Sequence, residues 1–221
     1  FLDGSSLGQV LLREGRLAPR LVIDLMRQIA AAVHEAHTAG VLHRDLKPAN
    51  VVVEPTSAGP WVKVLDFGIA ELMGTGLDAG SSPSNAERLV GTPHYMSPEQ
   101  CEGRQLDARS DVYALGCVLF ELLVGKPPFG LERGGLMDVM RRHRSEPPPS
   151  PSVHAPGIPV ALDRIVLRAL AKRPEERFAT AAELGDALGA IALDAPNNLP
   201  QSVTPFVGRD HEVVEVRRLV E

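Results

Sequence analysis

Cysteine, aromatic side chains and long apolar runs are all scarce in this sequence of 221 residues. The two cysteines, Cys101 and Cys117, are too few for a disulfide framework, so we expect reduced thiols and a cytoplasmic protein. The most apolar stretch, Ala114 to Val124, is interrupted by Glu121 and is far shorter than the roughly 20 residues of a membrane span. It therefore predicts a core helix rather than a membrane span. No signal peptide is visible.

An excess of positive charge is absent as well. The formal net charge is −5, from 23 Lys and Arg against 28 Asp and Glu. This balance gives no indication of a nucleic-acid-binding face. With 44% hydrophobic and 23% charged residues, the composition is typical of a globular protein that buries a full core.

Helical periodicity covers most of the chain. In the first predicted helix the apolar positions are Leu21, Leu25, Ile29, Val33 and the small Ala36. Gly40 supplies a stop just beyond its last turn. Asp107 to Val124 is apolar on nearly all sides, which predicts a helix at the centre of a helical lobe. Further helices are predicted over Leu131 to Arg144, Val160 to Ala171 and Thr180 to Leu193.

Strand-like and irregular segments separate these helices. Val51 to Val53 and Trp61 to Leu65 read as strands on either side of the turn-rich run EPTSAGP, which predicts a small hairpin. Residues 74–86 are rich in Gly, Ser, Thr, Asp and Asn and predict a surface loop. The proline-rich stretch from Pro147 to Pro159 predicts an extended connection.

Two short motifs carry the chemistry of the sequence. HRDLKPAN spans His43 to Asn50, and DFG spans Asp66 to Gly68. Together they place two carboxylates, an ammonium and an amide on neighbouring loops, as required to hold a metal-bound triphosphate beside a hydroxyl. A single Asp, Asn or Lys is usually a solvated surface group, and DFG alone occurs by chance. The joint pattern, at this separation and between strand-like runs, favours the catalytic interpretation.

Three later motifs extend the pattern. GTPHYMSPE spans Gly91 to Glu99, DVYALG begins at Asp111, and RPEERF contains Arg177. With these motifs, residues 1–193 resemble the C-terminal lobe of a serine/threonine protein kinase. The resemblance implies a mainly α fold with a small β-hairpin element. It also implies phosphoryl transfer from ATP to serine or threonine hydroxyls of protein substrates in signalling.

The resemblance assigns a role to each polar residue of the two chemical motifs. Asp45 would accept the proton of the substrate hydroxyl or orient that hydroxyl, and Lys47 would steady the transferring phosphate. Asn50 and Asp66 would hold Mg²⁺ against the phosphates, because this hard cation prefers carboxylate and amide oxygens. Val52 would form an apolar floor for adenine, although a plain core position in a strand fits the same alternation.

The resemblance also indicates which hydroxyl is phosphorylated. Lys47 within the catalytic loop, together with Thr92 after Gly91, marks the serine/threonine kinases, so we count Thr92 among the catalytic residues. In this family the arginine that corresponds to Arg44 commonly binds a phosphate group on the activation segment, the loop that ends with the GTPHYMSPE motif. Ser84 is the best candidate for that phosphate, although a serine in a loop is more often only a loop residue.

Structural pairings follow from the resemblance too. Asp111 is expected to hold the backbone of the catalytic loop, and Glu99 is expected to pair with Arg177 rather than stay an unrelated surface charge. Ser97 stands where the commonest version of its motif has alanine. His34 and His37 lie three apart on the first helix and could share a metal, but no nearby ligands complete a set. The resemblance makes His37 a packing residue beneath the catalytic loop.

Parts of a complete kinase are not found in the sequence. No glycine-rich loop, strand lysine or partner glutamate precedes His43, and the chain opens on Phe1 in a run, FLDGSSL, that looks like the hinge between kinase lobes. We therefore expect a piece that lacks the N-terminal lobe and is inactive, or nearly so, by itself. A rival hypothesis is a non-catalytic, pseudokinase-like scaffold or regulatory module. The intact Asp45, Asn50 and Asp66 argue against it.

The end of the chain has a different character. DAPNNLP reads as a linker, which we place at residues 194–202. Residues 203–221 contain FVGRD followed by an amphipathic helical pattern, and they resemble the entry to an ATPase domain of the AAA or signal-transducing type. A stray amphipathic helix in a tail is an equal alternative.

Overall fold

The computed structural model describes residues 4–57, 59–67, 93–131 and 134–191 of the chain. These form a mainly helical fold with one three-stranded antiparallel sheet. The strands are β1 Ser5–Ser6, β2 Val51–Thr56 and β3 Gly59–Val64. The helices are α1 Leu7–Glu14, α2 Pro19–Thr38, α3 Pro98–Cys101, α4 Ala108–Val124, α5 Gly135–Ser145, α6 Pro151–His154, α7 Val160–Ala169 and α8 Ala181–Gly189. Short 3₁₀ turns cover Pro48–Asn50, Pro93–Tyr95 and Pro174–Glu176.

The predicted hairpin is confirmed, but its strands are longer than the sequence indicated. β2 and β3 pair from Val51 opposite Val64 to Thr56 opposite Gly59, so they take in most of the predicted turn. The strand order is β1, β2, β3, and β1 was not predicted. Two residues are too few for any alternation of polarity to be visible. The hairpin matters for the site because the two chemical motifs adjoin its ends.

One side chain of α2 fixes the hairpin to the helical core. The Gln28 amide donates to the carbonyl of Pro60 over 3.0 Å and accepts from the backbone N–H of Val62 over 3.1 Å. Both contacts lie on β3, one of the two outer strands of the sheet. The edge of the sheet is therefore covered by a polar contact from α2.

The first long helix is confirmed, but its buried face is not quite the predicted one. Leu21 is 37% exposed, whereas positions on either side of the predicted stripe are buried. The buried residues of α2 are Val22, Ile23, Leu25, Met26, Ile29, Ala30 and Val33. The apolar face is wider and is rotated, because several other elements contact this helix. The stop at Gly40 is confirmed by its backbone φ of +78°, a conformation that glycine adopts without a steric penalty.

The central helix is confirmed as α4. Every residue from Ser110 to Phe120 is buried, as the apolar pattern on all sides predicted. Asp107 caps the helix by accepting from the backbone N–H of Arg109 over 2.8 Å. A side chain at Gly116 would place its Cβ 2.9 Å from the Cβ of Ala169, so glycine there permits the close approach of α7.

The proline-rich connection was predicted incorrectly as wholly extended. It contains the short helix α6, whose first residue is Pro151. Proline is tolerated there because its missing N–H has no partner in the first turn of any helix. Asp163 of α7 accepts from the backbone N–H of Ser152 over 2.9 Å and from its hydroxyl. This tertiary contact is not visible in a local sequence pattern.

The remaining helices are shorter than predicted. α5 begins at Gly135, α7 ends at Ala169, and α8 ends at Gly189. Thr180 is the N-cap of α8, because its hydroxyl accepts from the N–H of Glu183 over 3.1 Å. Both cysteines are free thiols. In the described ranges, no helix has both the length and the apolarity needed to cross a bilayer. The predicted loop at 74–86, Ser84 and the predicted segments at 194–221 lie outside the described residues.

A buried ion pair joins α3 to the segment before α8, as the sequence predicted. Arg177 donates to both carboxylate oxygens of Glu99, over 2.7 and 2.9 Å, and both residues are only 3% exposed. The Ser110 hydroxyl adds a third hydrogen bond over 2.7 Å. The guanidinium also donates to the carbonyls of Arg109, Ala171 and Lys172. The pair therefore has the full set of partners that a buried charge needs.

The ionisation of Glu99 follows from these contacts. Burial alone opposes the charged form, but hydrogen bonds from Arg177 and Ser110 and the charge of Arg177 outweigh it. They lower the pKa of Glu99 to about 2 from the usual 4.5. A carboxyl whose pKa is lower in the folded state stabilises the fold above pH 4.5, and this contribution is lost as the pH falls toward 2.

Replacing Arg177 by methionine should destabilise the fold strongly. The Arg177→Met variant leaves the Glu99 carboxylate buried without its cation, a change that typically costs about 3–5 kcal/mol. Urea unfolding at pH 7 measures the loss. The difference in unfolding free energy between wild type and Arg177→Met should shrink when the pH is lowered from 4.5 toward 2, because Glu99 of the wild type then becomes protonated.

A matched control for that variant is Arg173→Ala. Arg173 pairs with Glu175 over 2.6 Å, but its side chain is 69% exposed. We expect this variant to unfold like wild type, since solvent screens an exposed pair. Equal unfolding free energies for wild type and Arg177→Met would contradict the structural role of the buried pair.

Candidate active site

The loop from His43 to Asn50 is held by one carboxylate of α4. Asp111 accepts from the backbone N–H of His43 over 2.8 Å and from that of Arg44 over 2.9 Å. It is 2% exposed, so these are buried, charge-assisted hydrogen bonds. The predicted role of Asp111 is therefore confirmed.

His37 belongs to the same cluster. Its Nε2 donates to Asp111 over 2.7 Å, so the imidazole helps to orient the carboxylate that holds the loop. The idea that His34 and His37 share a metal is not supported, because within the described residues no group of three or more His, Cys, Asp or Glu is placed to hold a metal ion. His37 lies beneath the loop from His43 to Asn50, as expected, with a polar role in addition to packing.

Arg44 has an unusual backbone. Its φ of +68° lies in the left-handed region, which a long side chain rarely adopts. Its N–H is held by Asp111, and its carbonyl accepts from the side-chain amide of Gln100 over 2.7 Å. Gln100 was not identified from the sequence as part of the site. The S-x-x-Q spacing of Ser97 and Gln100 is a capping-box signal that could have drawn attention to it.

Three predicted site residues lie together on the loop. Lys47 Nζ donates to Asp45 Oδ2 over 2.6 Å. The Asn50 side-chain amide donates to the Asp45 carbonyl over 2.8 Å and to Asp45 Oδ2 over 3.3 Å. The Asp45 side chain is 45% exposed and the Lys47 side chain 24%, so both can be reached from solvent. Buried Leu46 and Pro48 alternate with them and anchor the loop.

Asp66 is tied to this loop through the preceding residue. The N–H of Leu65 donates to the carbonyl of Asn50, and the ring Nε2–H of His43 donates to the carbonyl of Leu65, both over 2.8 Å. The rings of Phe67 and His43 lie 4.8 Å apart. Asp66 itself is exposed, with a φ of +60°. Contacts on both sides therefore fix the start of the second motif against the first.

The polar groups of the loop suit an Mg²⁺–nucleotide. Asn50 uses its NH₂ group on Asp45, which leaves its amide oxygen as the group available to a cation, and Asp66 offers an exposed carboxylate. Mg²⁺ is commonly held by one or two such oxygens together with substrate phosphates, so a larger cluster of acidic ligands is not needed. Val52 is 8% exposed on β2, and Thr92 lies outside the described residues.

A cavity of about 290 Å³ opens beside Lys47. Its wall includes Tyr95 and Glu121, whose side chains are joined by a hydrogen bond of 2.5 Å from the phenol to the carboxylate. Burial raises the pKa of Glu121, although the hydrogen bond from Tyr95 opposes this. Burial and the Glu121 charge also raise the pKa of the Tyr95 phenol. This pair was not identified from the sequence, although Glu121 is the charged residue that interrupts the apolar stretch of α4. A larger groove of about 610 Å³ between α2, β3 and α8 contains none of the predicted site residues.

Comparison with known proteins gives the same picture. The profile of the family described as "Protein kinase domain" matches residues 1–186. The chain is 40% identical over 204 residues to serine/threonine-protein kinase PknB of Mycobacterium tuberculosis. It is 44% identical over 189 residues to serine/threonine-protein kinase Pkn1 of Myxococcus xanthus. These alignments cover 92% and 85% of this chain.

A solved structure matches at the level of the fold. The crystal structure of the Mycobacterium tuberculosis PknI kinase domain superposes with a TM-score of 0.63 and 30% identity, over 86% of this chain and 63% of that one. The chain spans 31% of the length of PknB and 26% of that of Pkn1. On the profile match, the identities and the shared fold, this chain belongs to the protein kinase domain family.

Proposed function

We propose that the protein containing this chain transfers the terminal phosphoryl group of ATP to serine or threonine hydroxyls of protein substrates. The observation that carries the proposal is the contact of Lys47 and Asn50 with one carboxylate oxygen of Asp45, on a loop held by Asp111. Phosphoryl transfer depends mainly on positioning and on charge, and this arrangement supplies both.

Asp45 is the proposed catalytic carboxylate. Its Oδ2 is engaged by Lys47 and Asn50, which fixes the rotation of the side chain. Its exposure leaves room for a substrate hydroxyl, which Asp45 would orient and from which it would take the proton. Lys47 would then lie between this carboxylate and the transferring phosphate and balance the charge on both.

The cofactors follow from the remaining oxygens. Asn50 and Asp66 are the proposed Mg²⁺ ligands, and Lys47 and Val52 are the proposed contacts to ATP. When bound, Mg²⁺–ATP supplies the phosphoryl group with part of its negative charge neutralised. The protein's own residues hold the hydroxyl, keep the loop rigid and offer a base.

The choice of serine and threonine rests on two supports. Lys47 and Thr92 match the pattern of kinases with these acceptors, and the relatives PknB and Pkn1 are named serine/threonine-protein kinases. Protein substrates in signalling follow from the same likeness. We place the activity in the cytoplasm, where ATP is supplied and free thiols such as Cys101 and Cys117 stay reduced.

Two further proposals concern the whole protein. The 221 residues contain no glycine-rich loop or strand lysine ahead of the catalytic loop, so we propose that these residues by themselves transfer phosphate far more slowly than a kinase domain that carries both elements. We also propose that a linker at 194–202 leads into a second domain of ATPase type that begins near residue 203. Assays of phosphate transfer by the 221 residues and by a complete kinase domain test the first proposal, and an assay of ATP hydrolysis tests the second.

Replacing Asp45 by asparagine should nearly abolish phosphate transfer. The Asp45→Asn variant keeps the shape of the side chain but removes the base, and general-base catalysis typically contributes about 10²–10⁴-fold in rate. Radiolabelled phosphate transfer by the full-length protein to a serine- or threonine-containing protein measures the loss. Thermal unfolding should remain close to wild type because Asp45 is half exposed.

The same assay separates an enzyme from a scaffold. Equal labelling by wild type and Asp45→Asn would overturn the catalytic assignment and favour a non-catalytic, pseudokinase-like module. Acid hydrolysis of the labelled product identifies the acceptor, and phosphotyrosine in place of phosphoserine or phosphothreonine would refute the proposed specificity.

Replacing Asp66 by asparagine should raise the Mg²⁺ concentration needed for half-maximal activity. Loss of one fixed charge in a catalytic site typically costs about 10²–10³-fold in rate, even at saturating metal. A Mg²⁺ titration of the initial rate measures both effects. Glu102→Gln is the matched control, because Glu102 forms an exposed ion pair with Arg104. An unchanged Mg²⁺ dependence for Asp66→Asn would rule out Asp66 as a metal ligand.

A further inference from the structure

We infer that Gln100 is a positioning residue for phosphoryl transfer. Its side chain joins the N-terminal cap of α3 to the carbonyl of Arg44, and it thereby holds the peptide unit that leads into Asp45. This inference rests on the proposed function, since positioning has meaning only if Asp45 acts on a substrate. It assigns a role in the reaction to a residue outside the catalytic loop.

Both ends of the Gln100 amide are used. Oε1 accepts from the backbone N–H of Ser97 over 2.9 Å, and Nε2 donates to the carbonyl of Arg44 over 2.7 Å. The Ser97 hydroxyl in turn accepts from the N–H of Gln100 over 3.3 Å, which completes a capping box. A flipped amide would face a donor with a donor and an acceptor with an acceptor, so the two partners fix its orientation.

The residue that Gln100 holds is the strained one. Arg44 has a left-handed backbone, and such a conformation persists only when its surroundings determine it. Its N–H is bound by Asp111 from α4, and its carbonyl is bound by Gln100 from α3. Side chains from two different helices thus hold the two polar backbone groups of Arg44. Rotation of the peptide between Arg44 and Asp45 would break the contact with Gln100.

The support behind Gln100 is firm. Glu99, the preceding residue, is locked to Arg177 in the buried pair, and Ser97 is fully buried. Gln100 therefore reaches Arg44 from a segment that is anchored in the core. Movement of α3 should be passed to the Asp45 peptide through this single side chain.

A substitution can remove the contact to Arg44 while keeping the cap. Glutamate accepts from the Ser97 N–H as well as glutamine does, because S-x-x-E is also a capping box. An ionised glutamate has no donor for the Arg44 carbonyl and would place an oxygen against it. Gln100→Glu thus tests the link to the loop, whereas Ser97→Ala removes the cap hydroxyl and leaves the link in place.

The experiment uses the full-length protein and compares wild type, Gln100→Glu, Ser97→Ala and Gln105→Glu. For Gln100→Glu we expect kcat to fall roughly 10- to 100-fold, with KM for ATP within about twofold and an unchanged unfolding temperature. Ser97→Ala should lower the unfolding temperature with a much smaller effect on kcat. Gln105→Glu adds the same charge at an exposed position and should behave like wild type.

A second readout does not depend on activity. Amide hydrogen exchange in the peptide covering residues 43–47 should be faster in Gln100→Glu than in wild type, because the loop loses the side-chain contact that holds the Arg44 carbonyl. An unchanged kcat together with unchanged exchange would overturn the inference, as would a fall in kcat matched by a fall in stability. If wild type itself transfers no phosphate, the proposed function fails, while faster exchange would still establish the hold on the loop.

Discussion

The carboxylate of Asp111 is the contact on which the candidate site depends. It lies in the buried helix α4, and it binds two consecutive backbone N–H groups of the catalytic loop and the ring of His37. A loop carries exposed polar groups and has little apolar surface of its own to bury, so its shape has to be imposed by fixed partners. Asp111 supplies such partners from the most buried helix of the described chain.

The loop has a second hold that comes from α3. The buried pair of Glu99 and Arg177 fixes that short helix, and Gln100 extends from it to the carbonyl of Arg44. The N–H and the carbonyl of Arg44, the residue before Asp45, are thus both hydrogen-bonded to side chains of two different helices. These contacts restrain rotation of the backbone that carries the exposed charges of the site. This arrangement is what electrostatic preorganisation requires of a phosphoryl-transfer site.

Much of this could be predicted from the sequence, and the exceptions have physical causes. The buried helix α4 follows from its apolar pattern, and the roles of Asp111, Glu99 and Arg177 follow from motifs with a known partner. The helix α6 and the short strand β1 were missed, because a tertiary contact from Asp163 supports the first and two residues carry no period for the second. The contact of Gln100 with Arg44 joins residues 56 apart in sequence, and no local pattern reports such a distance.

The phosphate-transfer rate of the Asp111→Asn variant in the full-length protein, measured in a single turnover, tests most directly whether Asp111 sets the geometry of the loop. Asparagine keeps the shape of the side chain but replaces one acceptor oxygen with an NH₂ group, which then faces a donor of the loop or of His37. We expect a rate lower by roughly a hundredfold with ATP still bound. A rate equal to that of wild type would show that Asp111 does not set the geometry of the catalytic loop.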